Sequence, residues 1–235
     1  MNTDTEQRNA RIRLAKPEAI IFDMDGTLFQ TESLLLPAYH KMFDTLREEG
    51  LYTGPTPPEE RILSGLGQLL SEIWKSVLPD VDESVHRRAD DILLKLEIEG
   101  LKAGTSTLYP AVPETLRELK ERGLRLFVCS NGLEDYIHSI VTVHQLQDVF
   151  EGLYSAGGQG TSTKVQLLRL LLDHYEIGKA WMVGDRSSDV QAGKENGQTV
   201  IGCGYAGFGR DEELKGSDVI ISSFDELVGL YDNAE

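Results

Sequence analysis

Two aspartates one residue apart, Asp23 and Asp25, stand where an apolar run ends, in Ile20-Ile21-Phe22-Asp23-Met24-Asp25-Gly26-Thr27-Leu28. Charge at the mouth of a buried segment is costly unless it is paired or bound to a metal. The pair therefore points to a cation or to a proton-transfer couple. Successive side chains of a strand face opposite ways, so the two carboxylates share a site only if the chain leaves strand geometry, which Gly26 permits. The competing reading is an ordinary strand-to-loop turn, where Asp and Gly are common. Three further stretches carry complementary groups. Ser130-Asn131-Gly132 lies between a predicted strand and a helix, where a hydroxyl and backbone N–H groups bind anions or simply cap the helix. Lys164, in the first turn of a predicted helix, opposes the helix dipole at a cost of about 0.3–1 kcal/mol. A bound phosphate would offset that cost; the plain alternative is a solvated lysine. Gly184-Asp185-Arg186-Ser187-Ser188-Asp189 puts one acid at a strand end and another in a helix first turn, where acids are commonplace.

The elements that must position these groups follow from periodicity. Short apolar runs predict strands over Pro17–Asp23, Leu124–Cys129, Val149–Ser155, Ala180–Val183, Thr199–Gly202 and Val219–Ser222. Helical patterns separate them after Tyr109-Pro110, and such alternation implies parallel strands with helices on both faces. Ligands of such sheets bind beyond the carboxyl ends of the strands, which is where all four stretches fall. From Ser33 to about Ser106 the pattern is helical throughout. One helix runs from Ser33 to Glu49. A second, with Thr56 and Glu59 at capping-box spacing, carries apolar residues from Ile62 through Leu66, Leu69 and Ile73 to Val77. A third starts at Asp82 and is closed by Gly100 and Gly104. This divides the chain into a frayed leader at 1–16, a sheet domain at 17–32 and 107–235, and a helical insertion at 33–106. Gly202-Cys203-Gly204-Tyr205-Ala206-Gly207 matches the dinucleotide fingerprint letter by letter, but no long helix follows it, so a loop at the rim of the site is the better reading.

The totals bound the function. The chain has 235 residues, a formal net charge of −16 and 40% hydrophobic residues. That charge argues against a nucleic-acid polymer or an anionic membrane as partner. An anionic substrate would then need local positive charge from a metal or a lysine. Two cysteines, Cys129 and Cys203, offer no disulfide framework, and no apolar run is long enough to cross a bilayer, so a cytoplasmic location is expected.

Taken in order, the four stretches resemble the motifs of the haloacid dehalogenase superfamily, in its phosphoglycolate phosphatase-like and β-phosphoglucomutase-like branches. The resemblance covers nearly the whole chain from Pro17 onward. It implies an α/β fold, a Rossmann-like parallel sheet with an inserted α-helical cap. It also implies Mg²⁺-dependent hydrolysis of a small phosphorylated metabolite through an aspartyl phosphate. Asp23 would be the nucleophile and Asp25 the general acid and base. Thr27, Ser130, Asn131, Gly132 and Lys164 would bind the phosphoryl group. Asp23, the Asp25 main-chain carbonyl and Asp185 would hold Mg²⁺, with Asp189 either a further ligand or a support behind them. Cap residues Arg61 and Ser64-Gly65-Leu66-Gly67 are expected to read the substrate. Haloacid dehalogenases lack an acid at the position of Asp25. A phosphosugar mutase would carry a histidine near Leu35, with His40 too far along, yet stays open as the alternative. A phospho-receiver module, of another class, would need no helical insertion. Gln30 departs from the Asp that many phosphatase relatives carry in that loop.

Overall fold

The computed structural model describes residues 14–206 and 212–235. Six parallel strands form one sheet: β1 (Ala19–Phe22), β2 (Arg125–Ser130), β3 (Gly152–Ser155), β4 (Ala180–Gly184), β5 (Thr199–Cys203) and β6 (Val219–Ile221), in the order β3-β2-β1-β4-β5-β6. β1 is central and wholly buried, as its unbroken apolar run requires. The architecture is α/β and Rossmann-like. Ten helices are described: α1 (Glu32–Glu48), α2 (Glu59–Gly65), α3 (Leu70–Val77), α4 (Glu83–Lys102), α5 (Val112–Glu121), α6 (Glu134–Val143), α7 (Ala156–Gln159), α8 (Lys164–His174), α9 (Ser187–Glu195) and α10 (Glu226–Asp232).

The pleat sorts β1 into two cores. Ile20 and Phe22 pack with Val128, Val183, Ile137 and Phe224 on one face. Ala19 and Ile21 pack on the other with Leu167, Leu168 and Leu171 of α8 and Ala192 of α9. By the two-residue period, Asp23 belongs to the second face. The side chain that ends β1 is thus aimed at the first turns of α8 and α9. The third core lies in α1–α4, where Tyr39, Phe43, Trp74 and Leu93 are central.

The chain enters and leaves those four helices through one narrow junction. Phe29 bridges Leu108 in antiparallel fashion. Gln30 N–H donates to Thr107 (3.0 Å), Tyr109 N–H donates to Leu28 (3.0 Å), and the Gln30 amide donates to the Leu108 carbonyl (2.9 Å).

The structure differs from the sequence reading in four places. The apolar run from Ile62 to Val77 is two helices, because Gly67 turns the chain with φ +84°. Thr56 does not cap α2; it accepts a hydrogen bond from Arg47, and Pro58 precedes the helix. Gly100 lies inside α4, and the positive φ of Gly104 ends the helical stretch just beyond Lys102. The end of the leader is tied down: Lys16 N–H donates to Glu235, Glu235 N–H donates to Leu14, and the Trp181 indole donates to Ala15. Residues 1–13 of the leader lie outside the described residues. So do Gly207, Phe208-Gly209-Arg210 and Asp211 of the glycine-rich rim, while Gly202 and Cys203 close β5.

Candidate active site

The register places the four stretches at one edge. Phe22 pairs with Val128 and Val183, so Asp23 lies one residue past that line, Ser130 and Asp185 two past it. Asp23 is tied to the edge by its N–H to the Val183 carbonyl (2.9 Å). Lys164, brought there as the first residue of α8, places Nζ 2.7 Å from Asp23 Oδ1 and 2.6 Å from Asp189 Oδ1. All three side chains are buried. The other oxygen of Asp189 accepts Arg186 N–H (3.0 Å) at the start of α9. Both oxygens of Asp189 are therefore engaged by the protein itself.

Asp185 fits because Gly26 has no side chain. A Cβ there would fall 2.4 Å from Asp185 Oδ2, and Gly26 adopts φ +79°. Gly184 likewise clears Asp189, which would lie 2.2 Å from a Cβ. Asp23, Asp185 and Asp189 present carboxylate oxygens all within 4.8 Å of one another. Burial, reinforced by Asp189 and Asp23, pushes Asp185 well above the usual carboxylate range. Burial likewise pushes Asp23 up to about 7, against the pull of Lys164. Burial alone would lower Lys164, but Asp189 and Asp23 outweigh it and hold the ammonium charged.

Asp25 turns the other way, towards α6. Its Oδ1 accepts Thr31 Oγ1 (2.6 Å) and Tyr136 Oη (2.8 Å). Its Oδ2 faces the loop at Gly132, where an added Cβ would be 3.7 Å away. Burial pushes the Asp25 carboxyl up, while Thr31 and Tyr136 draw it down. Ser130 Oγ accepts Gly132 N–H (3.1 Å), and Ser155 Oγ donates to the Gly132 carbonyl (2.8 Å), which together fix the loop.

A cavity of about 80 Å³ opens between this edge and the helical insertion. Asp23, Asp25, Ser130, Asn131 and Gly132 form its floor. Leu35, Ile62, Leu66, Ile73 and Leu93 contribute apolar walls, with Asp90 and Glu97 among them. Thr27 and Lys164 do not line it. The Thr27 hydroxyl donates to Asp185 Oδ1 (3.2 Å), and Lys164 is enclosed by its two acids. The Asn131 amide spans the gap to the Gly67 carbonyl (2.8 Å). Leu66 and Gly67 reach the cavity; Arg61 and Ser64 do not line it and are exposed.

The sequence profile of haloacid dehalogenase-like hydrolases matches residues 20–203. The chain belongs to that family. A phosphoglycolate phosphatase of Nitrosococcus oceani is 29% identical over 233 residues, covering 94% of this chain and 99% of that protein. Another, of Aquifex aeolicus, is 29% identical over 217 residues, covering 91% and 96%. CbbY from Rhodobacter sphaeroides, solved in complex with xylulose-(1,5)-bisphosphate, shares the fold with TM-score 0.78 at 22% identity, covering 91% of this chain and 99% of that one. This haloacid dehalogenase-like hydrolase is a phosphatase.

Its donor set fits a hard divalent cation. Asp23 Oδ2 and Asp185 Oδ2 are both buried without a hydrogen-bond partner, although Arg186 Nε stands 3.6 Å from the latter. Orphaned buried carboxylate oxygens cost free energy that a cation would recover. No helix among the hydrolase's described residues is long and apolar enough to cross a membrane. Three residues of its site escaped the sequence reading: Thr31, Tyr136 and Glu97. Glu97 had a visible signal. It falls on the α4 stripe Val85, Ala89, Ile92, Leu93, Leu101, where helical period calls for an apolar residue.

Proposed function

We propose that this protein hydrolyses a small phosphate monoester, with Mg²⁺, through a phosphorylated Asp23. Asp23 attacks phosphorus in line, and the ester P–O bond breaks as the leaving alcohol takes a proton from Asp25. Water then attacks the aspartyl phosphate, Asp25 takes its proton, and inorganic phosphate leaves with Asp23 restored. The observation that carries the reading is the division of labour between the two carboxylates. Asp23 is locked by Lys164 with one oxygen spare. Asp25 has one oxygen held by Thr31 and Tyr136 and the other turned to the loop at Gly132.

Asp23, Asp185 and the Asp25 carbonyl would hold Mg²⁺, which supplies positive charge against the transferring phosphoryl group. Asp189, with both oxygens engaged by Lys164 and Arg186 N–H, positions the lysine instead. Ser130 and the N–H of Asn131 would receive the phosphoryl oxygens, while the N–H of Gly132 holds Ser130 Oγ in place and Lys164 stabilises the charge on those oxygens through Asp23. Thr27 acts here by orienting Asp185. The helices at 33–106 serve as a cap that excludes water from the site between 17–32 and 107–235. Phosphate release from small esters, measured with and without Mg²⁺, tests the reading. Release should vanish in Asp23→Asn; unchanged release in that variant would refute the nucleophile.

A further inference from the structure

We propose that the ester's alcohol is small, carries a hydrogen-bond donor and no second acid, and is selected by Glu97. This rests on the phosphatase reading above and narrows its substrate. Glu97 is only 9% exposed, yet among the described residues no hydrogen-bond donor or cation acts on it, only burial and the charge of Asp25. It lines the cavity beside Asp25, Thr31 and Tyr136, with Leu93 and Leu94 from its own helix. A carboxyl group in the apolar stripe of a helix, facing a hollow with its acceptors unspent, is costly to retain unless something fills the hollow.

The rest of the lining points the same way. Among the described residues, no lysine, arginine or histidine lines the cavity. Its other wall acid, Asp90, is taken by the Trp74 indole N–H. A leaving group with its own carboxylate, as in phosphoglycolate, would face Asp25 and an ionised Glu97 with no cation to meet it, so the comparison below is made above about pH 8, where Glu97 has lost its proton. An alcohol bearing a hydroxyl or an ammonium would instead give Glu97 the donor it lacks. Size agrees: about 80 Å³ holds on the order of six water-sized groups, and the phosphoryl group takes most of them.

The test compares kcat/KM for four esters of similar length with the full-length protein and Mg²⁺: 2-aminoethyl phosphate, 2-hydroxyethyl phosphate, ethyl phosphate and 2-phosphoglycolate. The two donor esters should exceed ethyl phosphate by about tenfold or more, because a buried group left unpaired by the wrong substrate discriminates strongly. 2-Phosphoglycolate should be the poorest. In Glu97→Leu, which restores the apolar stripe and so should fold, the ratio of donor ester to ethyl ester should fall to about one. A preference for 2-phosphoglycolate, or a donor preference that survives in Glu97→Leu, overturns the proposal. Ethyl phosphate, which fits the cavity and carries no donor, separates the two claims. Turnover of it without any donor preference defeats this selection alone; no turnover of any ester defeats the phosphatase reading and this proposal with it.

Discussion

Replacing Glu97 by glutamine should change how folding depends on pH. Burial, with the charge of Asp25 second, pushes this carboxyl up to about 8 from an ordinary 4.5. The folded protein therefore holds the proton more tightly than the unfolded chain does. Below about pH 4.5 both states are protonated and the group leaves stability untouched. As pH rises towards 8 the unfolded chain gains by ionising and the folded one does not, so stability falls. Each tenfold difference in proton affinity is worth about 1.4 kcal/mol, so the cost reaches about 2 kcal/mol at pH 6 and about 4 kcal/mol at pH 8. Glutamine has nearly the same shape and cannot ionise. The stability of Glu97→Gln minus that of wild type should thus sit at a fixed offset near pH 4.5 and climb by about 2–4 kcal/mol by pH 8, the lower figure allowing for relaxation around the ionised group. Urea unfolding across that range, in chelator, would measure it. Trp74 in α3 reports the helical insertion, and Trp181 in β4 reports the sheet. A difference that stays flat from pH 5 to pH 8 would show that Glu97 titrates as a solvated acid, and the account of it as a buried carboxyl in the apolar stripe of α4 would fail.

Three other outcomes follow from contacts at the sheet edge. Tyr136→Phe removes one of two donors that draw Asp25 down, so the alkaline limb of the kcat/KM profile should move to higher pH; an unmoved or lowered limb would remove Tyr136 from the acid's control. Lys164→Met leaves Asp23 and Asp189 buried without their cation, which should cost about 3–5 kcal/mol at pH 7. Without the pull of Lys164, burial drives Asp23 further towards its neutral form, so the deficit in urea unfolding should shrink as pH falls, and a deficit independent of pH would contradict the ion cluster. Gly26→Ala puts a methyl group 2.4 Å from Asp185 Oδ2 and strains a left-handed backbone by about 1–2 kcal/mol. The Mg²⁺ concentration for half-maximal activity should rise by about tenfold or more, since one displaced ligand costs at least about 1.4 kcal/mol of affinity; an unchanged midpoint would place the ion elsewhere.

Much of this arrangement was legible in the chain. A buried strand ending in acids, with later strand-to-helix turns bearing Ser130, Lys164 and Asp185, fixes the sheet edge, because parallel topology leaves those turns nowhere else to go. What escaped depends on contacts distant in sequence. Tyr136 reads as an ordinary apolar position of an amphipathic helix; only the fold brings its hydroxyl 111 residues back to Asp25. The break between α2 and α3 was hidden by an apolar period that continues through it. Gly67 is held there by Asn131 from the sheet side, a tertiary contact that overrides local preference. Thr56 had the spacing of a cap but was claimed by Arg47. Lys16 looked like part of a loose leader, since nothing local reveals that Glu235 would pair with it.

The junction at Phe29 and Leu108 has a mechanical corollary. The four helices are tethered to the sheet by two adjoining segments, so they can swing as a door does on a single pin but cannot slide sideways without tearing backbone bonds. Thr31 sits at that pin, one residue before α1, while Asp25 and Tyr136 sit on the frame. Any swing of the door would therefore pull at the hinge-side grip on the acid before the frame-side one, and tie its appetite for a proton to whether the room is shut.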